Sequence, residues 1–195
     1  MSQELEIEFK NLLTKEEFHL LCGHFQVSSQ ESIRQKNHYF DTPDFQLKKI
    51  HSALRIREKS EGYQLTLKKP VEKGILENHQ WIDSQEASQM LEQGGLVQGE
   101  IAGLLEELKI PVQQIIYFGT LATERIEFPY KNGLLVLDHS TYLNKEDFEL
   151  EYEAASYDEG QAIFKELLST CKISAKKTDN KIERFYKEKI RRSLL

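Results

Sequence analysis

Charged and apolar residues change places at every second position in segment after segment of this chain, beginning with Glu4 to Lys10, "ELEIEFK". A β-strand points successive side chains to opposite faces, so Glu4, Glu6, Glu8 and Lys10 share one side while Leu5, Ile7 and Phe9 share the other. The alternation returns at Arg55 and Arg57, Lys68, Glu77 and His79, Arg125 and Glu127, Asp138, and Glu149, Glu151 and Glu153. Leu54, Ile56, Leu65, Leu67, Ile126, Phe128, Leu150 and Tyr152 interleave with them as the opposite, apolar side. Such a chain folds into sheet with one face that must be covered, and a charged face that either meets water on an open sheet or lines the lumen of a closed barrel.

The covers are legible between the strands. "TKEEFHLLCGHF" sets Thr14 and Glu17 in the capping-box relation ahead of Phe18, Leu21, Cys22 and Phe25 at helical spacing. Asp83 and Glu86 repeat the box before a helix through Met90 and Leu91 that Gly94 and Gly95 stop, and a short helix is expected over Ile101 to Leu108. A helix through Ile163, Phe164, Leu167, Leu168 and Cys171 follows, and a last basic helix starts near Asn180. The turn at Ser60 to Gly62 joins two strands that Pro70 ends, "GILENHQW" is another strand, and "PVQQIIYFGTLATERIEFPY" is long enough for one bent strand or two. Lys131, Asn132 and Gly133 mark a turn, and a hairpin closes around Asn144 to Asp147. Many antiparallel strands interrupted by helices give an α+β class with a large sheet or barrel.

With 195 residues, 39% hydrophobic and 30% charged, the chain has the composition of one soluble globular domain. Cys22 and Cys171 lack metal or redox spacing and read as core thiols in a reducing compartment. No apolar run spans a membrane and the acidic N-terminus is unlike a signal peptide, so a cytoplasmic location is expected. The formal charge of −6 argues against general nucleic-acid binding but permits a concentrated basic site.

Carboxylates at i and i+2 on a strand stand about 6 to 7 Å apart at the backbone, near enough for Glu6 and Glu8 to converge on one cation. A third acid from Glu149 or Glu151 would repel them strongly unless a cation or protons neutralise the group; a metal is the natural remedy, and oxygen-only ligands favour Mg²⁺ or Mn²⁺. Arg55, Arg57, Lys68 and Arg125 supply matching phosphate donors. A polyphosphate clasped by the basic groups and by a metal on the acids satisfies both arrays. The six histidines show no zinc spacing and no glycine-rich phosphate loop is present. Trp81, Tyr117 and Phe118 read as core or covering residues, Glu153 as a site acid or a solvated mouth residue, and "KEKIRR" as a solvated basic helix face.

Eight segments, "EIEFK", "YFDT", "LRIRE", "LTLKKP", "ERIEF", "LDHSTYL", "ELEYE" and "NKIERFY", stand in the order of the CYTH superfamily, the triphosphate tunnel metalloenzymes. The chain resembles that family across almost its whole length, nearest to the bacterial branch of Gram-positive organisms. The resemblance implies a single CYTH domain over residues 1–195, an eight-stranded antiparallel β-barrel forming a charged tunnel, and helices over its apolar outer face. It also implies that Glu6, Glu8, Glu149 and Glu151 hold Mg²⁺ or Mn²⁺, with Asp138 a further acid beside them. Lys10, Arg55, Arg57, Lys68, Arg125, Lys181 and Arg184 would bind phosphate, although Lys176 and Lys177 lie near the terminal basic element. Glu77 stands where relatives carry a tunnel acid, while His79 replaces a second one. The activity implied is metal-dependent hydrolysis of inorganic triphosphate or a small organic triphosphate. Cyclisation of ATP and non-catalytic sensing of nucleotide or polyphosphate are the alternatives, and a protein partner is not specified.

Overall fold

A computed structural model describes residues 2–193. It is an α+β structure with nine strands: β1 (Ser2–Glu6), β2 (Glu8–Leu13), β3 (Ile33–Asp41), β4 (Ala53–Lys59), β5 (Gly62–Val71), β6 (Gly74–Ile82), β7 (Ile116–Tyr130), β8 (Gly133–Tyr142) and β9 (Lys145–Ala154). The helices are α1 (Lys15–Phe25), α2 (Gln46–Lys49), α3 (Ser84–Glu92), α4 (Glu100–Glu107), α5 (Tyr157–Thr170) and α6 (Lys181–Ser193). The chain divides into two compact units, one of residues 1–5 and 35–121, the other of residues 6–34 and 122–195.

In the first unit the strand order is β1-β6-β5-β4-β3-β7, with β7 contributing its N-terminal part. Its core gathers Phe40, Leu54, Ile56, Leu65 and Leu67 with Met90 of α3 and Ile101 and Leu105 of α4, all fully buried. The capping box starts α3 as expected: Asp83 accepts from the Glu86 N–H at 2.8 Å and Glu86 accepts from the Asp83 N–H at 2.9 Å. Pro70 does not end the hairpin but lies in its ladder opposite Ile75, and the turn comes after Val71.

In the second unit the order is β7-β8-β9-β2. Here α1 and α5 cover the apolar face, packing Phe18, Leu21, Phe164 and Leu167 on Ile126, Leu135, Leu137, Leu150 and Tyr152. Gly160 sits where α5 comes so near the strands that a Cβ would lie 2.5 Å from Ala154 Cβ and 2.6 Å from Phe9 Cε2. Among the described residues Cys22 and Cys171 stay as thiols, Cys171 buried in this core and Cys22 partly buried against it. The free edge of β2 is covered by the stretch before α6: Asn11 Oδ1 accepts from the Lys176 N–H at 2.6 Å, and the Leu12 N–H donates to Thr178 Oγ1 at 2.9 Å.

Four further expectations change. The alternation predicts one strand over Glu4–Lys10, but pairing breaks at Ile7; β1 lies beside β6 and β2 beside β9. Among the described residues the sheet therefore counts nine strands rather than eight and is an open series ending in β1 and β2, not a closed ladder. Leu5, assigned to the apolar face, is 55% exposed, because neither core extends to it. The last hairpin turns at Leu143 and Asn144, both at positive φ, which leaves Asp147 inside β9.

Candidate functional site

In the second unit, β8 and β9 set Asp138 directly across from Glu149, and β9 and β2 set Glu151 across from Lys10 and Glu153 across from Glu8. These side chains lie opposite the Leu135, Leu137 and Leu150 face, so the alternation of the sequence becomes a two-sided sheet with acids on one side. α6 adds two cations from its first turn, Lys181 and Arg184, which a spacing of three puts on one helix face. Lys181 Nζ meets Asp138 Oδ2 at 2.8 Å and Glu149 Oε1 at 2.5 Å, and also bonds Glu151 Oε1. Arg125 reaches both oxygens of Asp138, Nε at 2.9 Å and Nη2 at 2.7 Å, and Glu151 Oε2 at 2.7 Å. Arg184 donates to Asp147 Oδ2 at 2.8 Å, to Glu149 Oε2 at 2.6 Å and to the Asp179 carbonyl at 2.5 Å. Lys10 Nζ meets Glu8 Oε1 at 2.6 Å.

Burial and charge pull these groups in opposite directions. Burial raises Glu149, which stays above the ordinary carboxylate range despite Lys181, while Lys181 and Arg125 overcome burial at Glu151 and hold it well below. Glu153 is pushed up to about 7 by burial and then by Glu6, against Arg125. Burial alone would lower Lys10, but Glu8 and then Glu151 and Glu149 reverse the sign and leave it raised. Glu6, Glu151 and Glu8 thus surround Glu153 with negative charge that opposes its ionisation.

Among the described residues, no set of three or more His, Cys, Asp and Glu side chains has metal-ligand spacing as it stands. Three carboxylates nevertheless converge on one cation, the Lys181 ammonium. A donor set made wholly of carboxylate oxygen suits Mg²⁺ or Mn²⁺ chemically, and Asp138, Glu149 and Glu151 are the residues that would hold such an ion once the ammonium gave way.

The first unit carries a separate charged face. Its rows, read across β3, β4, β5 and β6, are Asn37, Arg57, Gln64 and Trp81, then Tyr39, Arg55, Thr66 and His79. Ala53, Lys68 and Glu77 make the next row across β4, β5 and β6. Glu77, buried, bonds Lys68 Nζ and lies 3.6 Å from Arg55 Nη2 and 3.5 Å from His79 Nε2. Thr66 Oγ1 holds His79 Nδ1 at 3.0 Å, and Asn37 Oδ1 accepts from Arg57 Nε at 2.8 Å. Burial lowers the pKa of His79, with Glu77 opposing. Two guanidinium groups, one in each unit, keep a buried nitrogen with no hydrogen-bond partner among the described residues: Arg55 Nε and Arg184 Nη2. Asn78 Nδ2 is a third such nitrogen, and a buried donor left so is costly.

The family model described as CYTH domain matches residues 4–186. The chain belongs to the CYTH family. It is 49% identical over 191 residues to "Putative triphosphatase YjbK" of Bacillus subtilis (strain 168), covering 97% of this chain and 98% of that protein. A Bacillus halodurans crystal structure, described as that of "a putative adenylate cyclase", superposes with a TM-score of 0.90 at 45% identity, covering 95% of this chain and all of that one. A Hippeastrum protein, HpAC1, shares the fold with a TM-score of 0.71 at 21% identity, over 94% of this chain and 96% of its own.

Of the residues the CYTH resemblance points to, Glu8, Lys10, Arg125, Asp138, Glu149, Glu151, Lys181 and Arg184 meet in one network of the second unit. Glu6 joins it through its effect on Glu153. Arg55, Lys68 and Glu77 meet in the first unit, and Arg57 stands in the row beside them. Lys176 pairs with Glu17 at 2.9 Å, while Lys181 meets Asp138, Glu149 and Glu151. Asp147 and Tyr142 are additions: Asp147 Oδ2 takes Arg184 Nε and, at 2.5 Å, the Tyr142 hydroxyl. Asp147 continues the 149, 151, 153 alternation by one step, a signal hidden by placing it in the turn. "KEKIRR" also departs from a merely solvated face, since buried Glu188 gathers Lys145, Arg191 and Arg192. Of the three residues read as core or covering, Phe118 is buried, Tyr117 is 39% exposed with its ring 5.9 Å from that of buried Phe40, and Trp81 is 51% exposed.

Proposed function

We propose that this CYTH protein is a hydrolase that cleaves the terminal phosphoanhydride of a triphosphate, inorganic or small and organic, with Mg²⁺ or Mn²⁺. The observation that carries the reading is the convergence of Asp138, Glu149 and Glu151 on the Lys181 ammonium with Arg125 and Arg184 on the same acids, an array of oxygen ligands and cations on one sheet face that suits a metal-bound phosphate chain. The name of the Bacillus subtilis relative agrees with it. Within the first unit the phosphate-binding groups are Arg55, Arg57 and Lys68, and within the second they are Lys10, Arg125, Lys181 and Arg184. Glu6, Glu8, Glu149 and Glu151, with Asp138, hold the cation. A divalent ion bound there supplies Lewis acidity and a more acidic water. Water attacks the terminal phosphorus, the bond to the bridging oxygen breaks, and that oxygen leaves with the diphosphate portion, so that the protein's work is positioning and charge stabilisation.

The description of the Bacillus halodurans structure favours a second reading, cyclisation of ATP with loss of diphosphate. One assay separates the two. Purified protein is incubated with inorganic triphosphate, ATP or thiamine triphosphate and with Mg²⁺ or Mn²⁺, and products are resolved by chromatography. Orthophosphate release that Glu8→Gln and Arg55→Ala reduce at least about 100-fold, with circular dichroism unchanged, is expected. Cyclic AMP without orthophosphate would replace hydrolase with cyclase, and tight binding without turnover would make the protein a sensor.

A further inference from the structure

Trp81 is the one tryptophan of the sequence, and the charged face of the first unit places it where a core residue does not belong. It follows Glu77 and His79 at two-residue steps along β6, so its side chain emerges on their side of the sheet, while Leu54, Ile56, Leu65 and Leu67 fill the opposite side. Only Gln64 separates it from Arg57 in the row, and Arg55 stands one row along. Two strand spacings put Trp81 about 10 Å from Arg57 at the backbone, and one step of two residues separates the rows by about 7 Å. Half the indole is open to solvent, and the Lys59 ammonium lies 5.8 Å from the ring centroid. A large aromatic surface thus stands at the end of a phosphate-binding row, with cations beside it.

We infer that Trp81 is the specificity-determining residue of this site, a stacking platform for the aromatic heterocycle of an organic triphosphate whose phosphates lie on Arg55 and Arg57. The inference rests on the triphosphate-binding reading above and narrows it: the ligand carries a flat π-system, as a nucleoside or thiamine triphosphate does, and inorganic triphosphate leaves the platform empty. Stacking is tolerant of base identity, because every base presents a π-face, so Trp81 discriminates headed from headless triphosphates without choosing among nucleosides. Lys59 complements the same ligand, its charge matching the phosphate next to the head.

Because Trp81 is the single indole, intrinsic emission reads the contact directly. Adenosine 5′-(β,γ-methylene)triphosphate, thiamine triphosphate and inorganic triphosphate are titrated with Mg²⁺ into wild type, with calorimetry alongside to confirm binding. The two headed ligands quench Trp81 and the headless one leaves emission unchanged. Trp81→Ala then weakens binding of the adenosine analogue, and raises KM for ATP, about tenfold or more, with kcat and the inorganic triphosphate constants unchanged; Trp81→Phe restores most of the loss. Calorimetric binding of the analogue without change in emission would overturn the inference, as would no binding of the analogue, or equal losses for headed and headless ligands in Trp81→Ala. Failure of the hydrolase reading looks different: wild type releases no phosphate from any substrate, yet the titrations with the methylene analogue still decide the stacking.

Discussion

Three carboxylates share the Lys181 ammonium, and at the spacing of such groups each unscreened like-charge pair costs on the order of 4 kcal/mol at intermediate dielectric. Removing the ammonium exposes that repulsion. Lys181→Ala in a chelating buffer is expected to lose about 3 kcal/mol or more of stability, seen as a lower thermal midpoint. Added Mn²⁺ or Mg²⁺ should return a larger share of the midpoint to the variant than it adds to wild type, because the ion takes the place of the lost cation. An unchanged midpoint in chelator, or no metal-dependent gain, would remove Lys181 from that role. Sequence alternation was sufficient to bring Glu149 and Glu151 to one face, since period two is a local property. Which cation meets them depends on where α6 docks, and that is set by contacts such as Asn11 with Lys176 between residues far apart in the chain. The bare nitrogens of Arg55 and Arg184 had no counterpart in the sequence at all, because a missing acceptor is visible only once all neighbours are placed.

At the scale of elements, the capping boxes of α1 and α3 were legible because they are closed by residues three apart, Thr14 with Glu17 and Asp83 with Glu86. The break at Ile7 was not, for the alternation continues unbroken while the partner strand changes from β6 to β9. Nor was α2, whose four residues are too few to hold themselves. Buried Asp41 makes it: Oδ1 accepts from the N–H groups of Thr42 at 2.7 Å and Leu47 at 2.9 Å, and Oδ2 from Lys48 at 3.1 Å. The turn in this way presents Leu47 to the first core. Asp41→Ala leaves those donors without their carboxylate and should cost about 2 to 3 kcal/mol in urea unfolding, with Asp41→Asn recovering part through its remaining oxygen. A loss no greater than the roughly 0.5 kcal/mol of a surface substitution would show that the backbone finds other acceptors.

Across the whole molecule, two apolar cores stabilise two units, and each unit is assembled from two separated stretches of chain. The pairing of β2 with β9 sets Glu8 opposite Glu153, joining stretches near the two ends of the chain. Such non-local pairing slows folding, because the loop must close before the strand bonds compensate for it. Stopped-flow refolding from urea, followed by far-ultraviolet circular dichroism, should recover the native signal in milliseconds to seconds; full recovery in microseconds would contradict the topology. The consequence reaches into synthesis. At about 5 to 20 residues per second, β2 emerges from the ribosome on the order of ten seconds before its partner strand has been made. Phe9 and Leu13 wait through that interval without the surface they later cover, a window in which a nascent-chain chaperone has something to hold.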